Sequence, residues 1–265
     1  MFKNKVVVIT GAGSGIGQAL ALAMGTEGAR LALSDVNSSG LDETRQKLPA
    51  NCEVRTYKLD VSSREAVYEH AERVRRDFGA VHTVINNAGT AVLATVEHVT
   101  LEEMERVINI NLWGVIYGTK AFLPILLEQR DGCIVNISSV FGLLATPCSV
   151  AYTISKFGVR GLTETLWQEL HGTGVRAVLV HPGGVKTNIS DAPLAKNAGD
   201  FERFMAEANV RMMSASPDDV AQQILAGLKR GDPRLLVGNG AEDLFKLALA
   251  APDHYGEILR QQMGP

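Results

Sequence analysis

Short runs of strand-forming residues recur along the chain, at "KVVVIT" (5–10), "RLALSD" (30–35), "EVRTYKLD" (53–60), "HTVINN" (82–87), "CIVNIS" (133–138) and "VRAVLVHP" (175–182). Longer segments of helical period separate them. This alternation constrains the fold more than any other feature, because strands joined through helices run parallel and need helices on both faces of their sheet. The expected fold class is α/β, one domain built on a doubly wound parallel sheet. Right-handed crossovers then leave a crevice at the carboxyl ends of the strands, where such sheets bind ligands. Residues 188–214, "NISDAPLAKNAGDFERFMAEANVRMMS", break the alternation and read as an excursion over that crevice. The pattern resumes with "SPDDVAQQILAGLKRG", where Ser216 suits an N-cap and Pro217 a first helical residue, and with "RLLVG". No Pro/Ser/Gly-rich linker and no repeat divides residues 1–265, so the reading is a single domain.

Composition removes several function classes. The hydrophobic content of 46% in 265 residues supplies a sizeable core. Basic and acidic residues number 26 and 29, spread along the chain with no basic block, which argues against a nucleic-acid partner. Cys52, Cys133 and Cys148 are widely spaced, and the six histidines show no HxxxH or CxxC companions, so reduced thiols and no metal are expected. The start, "MFKNKVVVIT", is too short in apolar residues for a signal-peptide core, and no other apolar run approaches the ~18 residues of a membrane span. The expected location is cytoplasmic.

Directly after the first strand stands "TGAGSGIG" (10–17), followed by the helical run "QALALAMGTEGA". Glycines permit positive φ and close approach of a ligand, and a helix N-terminus offers unpaired N–H groups to a pyrophosphate. The spacing Gly11-x3-Gly15-x-Gly17 is not GxGxxG, and no GK[ST] follows to make a P-loop. Alone, such a turn is as readily a tight loop. Asp35, ending the second strand, supplies context: a carboxylate there would accept hydrogen bonds from an adenosine ribose and repel a 2′-phosphate. Neither Ser34 nor Val36 brings a compensating cation. The plainer alternative for Asp35 is an exposed strand-end or capping acid.

In "AYTISK" (151–156), Tyr152 and Lys156 share one helix face a turn apart. A free tyrosine, with a pKa of about 10, is a poor acid or base near neutrality. A neighbouring ammonium favours the phenolate and makes the hydroxyl useful for proton transfer. On spacing alone the pair is also an ordinary surface contact.

Taken in order, "TGAGSGIG", "LDV" (59–61), "NNAG" (86–89), "NINLWG" (109–114), "NISS" (136–139), "YTISK" (152–156) and "HPGGVKT" (181–187) resemble the short-chain dehydrogenase/reductase family over nearly the whole chain. The resemblance implies a catalytic set of Asn111, Ser139, Tyr152 and Lys156, with Ser138 and Asn109 the weaker choices. It implies that NAD is held by Gly11, Ser14, Gly15, Ile16, Gly17 and Asp35, by Asp60 and Val61 beside the adenine, and by Asn87, Ala88 and Gly89. Tyr152, Lys156, Pro182, Gly183, Val185 and Thr187 would hold it from the other side. Tyr152 would exchange the proton, Lys156 would lower the tyrosine pKa and hold the nicotinamide ribose, Ser139 would bind the substrate oxygen, and Asn111 would hold a water linking Lys156 to solvent. The reaction implied is hydride transfer between NAD(H) and a secondary alcohol or ketone, in a homotetramer or dimer joined through helices near 101–128 and 150–171. Rivals are an NADPH-type 3-oxoacyl carrier-protein reductase, which Asp35 and the acidic balance disfavour, and a dinucleotide sensor without turnover, which would not need Ser139, Tyr152 and Lys156. His82 and His181 lack triad partners and read as structural. In 188–214, Phe201, Phe204, Met205, Val210, Met212 and Met213 suggest a substrate lid closing beside Phe141, Leu143, Leu144 and Cys148 over a bulky apolar substrate.

Overall fold

A computed structural model describes residues 1–187, 189 and 193–263; within the expected excursion 188–214, residues 188 and 190–192 lie outside the described residues. The strands anticipated from the sequence form as β1 (Val6–Thr10), β2 (Arg30–Asp35), β3 (Val54–Lys58), β4 (Thr83–Asn86), β5 (Gly132–Ile137) and β6 (Val175–Pro182). "RLLVG" supplies β7 (Arg234–Val237). Among the described residues they pair in the order β3-β2-β1-β4-β5-β6-β7, parallel throughout. The connecting helices are α1 (Gly15–Thr26), α2 (Ser38–Lys47), α3 (Arg64–Phe78), α4 (Leu101–Ile108), α5 (Gly114–Gln129) and α6 (Val150–Glu169). Beyond β6 come α7 (Asp200–Met212), α8 (Pro217–Arg230), α9 (Ala241–Ala250) and α10 (Tyr255–Met263).

The run "VVVIT" of β1 is wholly buried because its alternate side chains serve two cores. Val7 and Ile9 pack with Leu20 and Met24 of α1 and Ile224 of α8, whereas Val6 and Val8 pack with Val74 of α3 and Phe122 of α5. Each such side chain stabilises the fold by roughly 1.5–3 kcal/mol. Polar chemistry is confined to specific links: Asn86 donates to Asn136 Oδ1 at 2.8 Å, and Asn136 donates to Thr163 at 3.0 Å, tying β4, β5 and α6 together.

α4 and α5 are joined without a break by a π-helical turn, Asn109–Trp113. By length and composition the continuous stretch Leu101–Gln129 could cross a bilayer, with a mean hydropathy of 1.4 in its 18-residue window. Its apolar residues are not continuous, since Glu102, Glu103, Glu105, Arg106, Asn109 and Asn111 interrupt them, which is why the sequence expectation was of no span. In the fold its apolar side is covered: Val107, Val115, Phe122, Ile125 and Leu126 are buried, and the helix packs against α3, α6 and the sheet.

The strand order reverses between β1 and β4, so the crossovers diverge there and open a crevice at the carboxyl ends of the central strands.

Candidate active site

A cavity of about 810 Å³ occupies that crevice. Of the residues that the resemblance assigned to catalysis and cofactor binding, all but Gly17 and Asn111 line it. A second groove, about 840 Å³ and open along edge strand β3, contains none of them.

One end is built by the glycine turn. Gly11 has φ +67°, and a Cβ there would lie 2.8 Å from Ala88 Cα; Gly15 has φ +53° beside Thr187. Both positions need glycine. Gly17 faces the protein instead: a Cβ there would run into the Gly11 carbonyl oxygen and lie 2.6 Å from the Asn87 amide nitrogen, so it seats α1 on the turn rather than meeting a ligand. Asn87 donates to the carbonyls of Thr10 (2.9 Å) and Gly11 (3.2 Å), and the Thr10 hydroxyl accepts the N–H groups of Asn87 (3.0 Å) and Ala88 (3.1 Å). Thr10 was not foreseen, although it heads the motif.

The helices α2, α3, α4 and α8 are capped by the side chains of Asn37, Ser63, Thr100 and Ser216. α1 is not: Ser14 makes no capping bond and no acid stands in the first turn, so its N–H groups and dipole are directed at the cavity. Asp35 stands at the rim of the same end. Its carboxylate accepts the N–H of Gly13 and of Asn37, each at 2.9 Å, which fixes the acid and leaves lone pairs for a diol. Asp60 caps its own loop through Ser62. Uncapped helix, glycine cradle and fixed acid together suit a dinucleotide.

Near the middle of the cavity, α6 places Tyr152 and Lys156 against the end of β5. Ser138 donates to the Lys156 carbonyl at 2.9 Å, locking α6 to the strand, while Ser139 turns its hydroxyl into the cavity. Ser139 hydrogen-bonds the Tyr152 phenol and accepts the Phe141 N–H at 3.1 Å. Lys156 is 2% exposed; its Nζ donates to the Ile137 carbonyl at 2.9 Å and sits 5.4 Å from the centroid of the Tyr152 ring. Burial pushes the lysine down to about 8. The tyrosine differs from expectation: burial raises its pKa above 10, and the hydrogen bond from Ser139 is what opposes the rise. The lysine ammonium is turned to a carbonyl, so it does not outweigh desolvation here.

Asn111 is fully buried in the π turn, and Asn109 is exposed. Its Oδ1 accepts the Thr90 N–H at 2.8 Å, and its Nδ2 donates to the Thr90 carbonyl at 2.8 Å and to Ser155 at 3.2 Å. This side chain fastens the segment after β4 to α6, beside the cavity rather than in its wall. His181 is likewise buried. Its Nδ1 donates to the Ser139 carbonyl at 2.7 Å, since a carbonyl can only accept, and Nε2 faces Arg234 Nη1 at 3.4 Å. It steadies the backbone of Ser139, a role that its lack of triad partners concealed.

The remaining wall is apolar: Leu93, Phe141, Leu144, Met212, Met213 and Leu244 are among its residues. Leu143 and Cys148 are absent from it. Cys148 is buried at a left-handed φ of 59°, and burial and nearby Glu202 push its thiol up to about 11, so it is no nucleophile. Phe201 and Phe204, expected to face inward, are 50% and 38% exposed. The reason is Glu202, whose buried carboxylate accepts Thr95 Oγ1 at 2.8 Å and pairs with His98 Nδ1 at 2.6 Å, turning the face bearing Glu202, Met205 and Asn209 inward. The sequence reading gave no role to the C-terminal helices. Leu244 of α9 and Leu259 of α10 line the cavity, and the Tyr255 hydroxyl accepts the Ala145 N–H at 3.1 Å, docking α10 on the loop after Ser139.

Comparison with known proteins agrees with this geometry. A family model described as short chain dehydrogenase matches residues 5–198. A putative oxidoreductase, SadH, of Mycobacterium tuberculosis is 43% identical over 261 residues, 97% of this chain and 95% of the relative. The 3-oxoacyl-[acyl-carrier-protein] reductase FabG of Thermotoga maritima is 35% identical over 84% of this chain and 89% of its own. A crystal structure of a short chain dehydrogenase/reductase from Burkholderia phymatum in complex with NAD superposes with a TM-score of 0.88 at 31% identity, covering 100% of this chain and 98% of that one. Other structures of similar fold hold NADP or a derivative of it.

Proposed function

Because the chain belongs to the short-chain dehydrogenase/reductase family, and is an oxidoreductase of that family using a nicotinamide dinucleotide, we propose that it moves a hydride between NAD(H) and a bulky, apolar secondary alcohol or ketone. The observation that carries this reading is the contact of Ser139, Tyr152 and Lys156 in one wall of a cavity whose far end is the glycine turn and Asp35. The dinucleotide, when bound, supplies the hydride carrier. Gly11, Gly15 and the start of α1 would receive its pyrophosphate, Asp35 its adenosine ribose, and Pro182 to Thr187 its nicotinamide end. Tyr152 takes the alcohol proton at its phenol oxygen in oxidation and returns it in reduction. Ser139 has one hydroxyl proton, which it gives to the substrate oxygen when substrate binds and to the Tyr152 phenol oxygen otherwise. Lys156 supplies a cation behind the ring, and Asn111 acts through Thr90, by positioning. α7 and the segment before it serve as the substrate lid of a single domain over residues 1–265, excluding water during transfer.

Family practice and the half-exposed Trp113, Ile154 and Phe157, all on helices expected at subunit contacts, support a homo-oligomer, tetramer or dimer, and a cytoplasmic location fits the same reading.

NAD+ reduction followed at 340 nm with a panel of secondary alcohols tests the activity. Along a homologous series kcat/KM is expected to climb, since each extra buried methylene favours binding by up to about 0.8 kcal/mol, until the cavity is filled. A flat series, or better turnover of polyols, would sink the apolar assignment. Asp35 gives a second expectation: kcat/KM favours NAD(H) over NADP(H), and Asp35→Ala narrows the preference by roughly tenfold, about the value of one charge contact. Equal use of both cofactors by the unmutated enzyme would remove Asp35 from the ribose.

A further inference from the structure

We infer that the substrate bears a second hydrogen-bonding oxygen, remote from its reacting carbon, and that the carboxamide of Asn209 receives it; this rests on reading the cavity as an alcohol or ketone site. Asn209 lines the cavity from α7 and is only 8% exposed. Among the described residues nothing hydrogen-bonds its side-chain amide. That is unusual in this wall, where the other buried polar groups are occupied: Ser149 with Thr146 and the Pro147 carbonyl, Ser138 with the Lys156 carbonyl, Lys156 with the Ile137 carbonyl.

The helix face that carries the amide is fixed toward the cavity. Glu202, two helical turns earlier on the same inward face and about 10 Å along the axis, is 1% exposed. Its carboxylate accepts Thr95 Oγ1 at 2.8 Å, Thr95 N at 3.3 Å and Gly199 N at 3.0 Å, and pairs with His98 Nδ1 at 2.6 Å. Pinned at that end, α7 presents a carboxamide, two donors and one acceptor, to a cavity whose lining also includes the apolar Leu144, Met212, Met213 and Leu244. A plain hydrocarbon tail packed over it leaves a buried amide unpaired, which is costly; a hydroxyl or carbonyl on that tail satisfies it. The chemical class selected is a hydroxyketone, diketone or diol, otherwise apolar.

The test uses matched pairs: a 2-alkanone and the same carbon chain carrying a second carbonyl or hydroxyl at successive positions. kcat/KM is measured with the enzyme and with Asn209→Leu, and calorimetric binding of the same pairs is measured on the NADH-loaded proteins. The unmutated enzyme is expected to favour one oxygenated position by on the order of tenfold to a hundredfold. Asn209→Leu is expected to bring that ratio near one. A ratio near one in the unmutated enzyme, by rate and by calorimetry, overturns the inference, as does a ratio unchanged by the substitution. Plain ketones turned over without preference would remove the Asn209 contact and leave the reaction standing. A binding preference lost in Asn209→Leu, with no member turned over, would support the contact and remove the reaction.

Discussion

Tyr152→Phe is expected to lower kcat by about 10²–10⁴-fold, the usual contribution of a positioned acid or base, while NADH affinity stays within about twofold of the unmutated value. The contrast follows from what the ring does besides proton transfer. Its face lies 5.4 Å from Lys156 Nζ and its edge meets Phe141 at 6.1 Å between centroids, and both contacts survive in phenylalanine. Lys156 keeps its bond to the Ile137 carbonyl, and Ser139 keeps the N–H of Phe141. Only the oxygen that exchanges a proton is removed. Steady-state turnover and quenching of NADH fluorescence read the two quantities separately. A variant retaining more than about a tenth of normal kcat would take the proton-transfer role away from Tyr152.

The parts of this molecule that repeat with a short period were legible beforehand. "KVVVIT" and "CIVNIS" read as strands because burial on both faces of a parallel sheet demands unbroken apolar residues, and "TGAGSGIG" read as a turn because few other residues tolerate that backbone. The Tyr152 and Lys156 pairing is a local helix spacing, and α6 does set the ammonium 5.4 Å from the ring centroid, although it donates to the Ile137 carbonyl. What failed depended on rotation about an axis or on distant partners. Phe201, Phe204 and Met205 all recur at helical intervals, but the inward face of α7 is chosen by the carboxylate of Glu202 reaching back to Thr95 and His98, more than a hundred residues away. Asn111 was legible as a motif position, but the bonds that hold it, to Thr90 and Ser155, join segments far apart in the chain. Leu244, Tyr255 and Leu259 belong to helices whose contact with the site is visible only once the chain has closed on itself.

Acidification is expected to weaken the fold steeply between about pH 6.5 and 4, through two histidines that the reaction does not use. His70 is 4% exposed, wedged edge-on against Tyr57 and Phe122 with centroid distances of 4.8 and 6.0 Å, and neither ring nitrogen has a partner. Burial pushes its pKa from the ordinary 6.5 down to about 4. His181 is pushed down to about 4 as well, by burial first and by Arg234 and Arg160, against its bond to the Ser139 carbonyl. Both rings are therefore neutral in the folded chain at pH values where the unfolded chain has already taken up protons. Stability is fully present above pH 6.5 and is lost as pH falls, by about 3 kcal/mol for each ring once pH reaches 4, at about 1.4 kcal/mol for every pH unit. Glu202, held low by Thr95 and His98, adds to the loss in the same direction below its ordinary range. Urea unfolding at pH 7.5 and 4.5 measures the total, and His70→Leu isolates one part of it. Leucine fills an apolar site without burying two unpaired nitrogens, so the variant is expected to be more stable than the parent at pH 7.5 by about 1 kcal/mol and by about 2.5 kcal/mol more at pH 4.5. A variant whose stability falls with pH as steeply as the parent's would show that His70 is not held neutral by its burial.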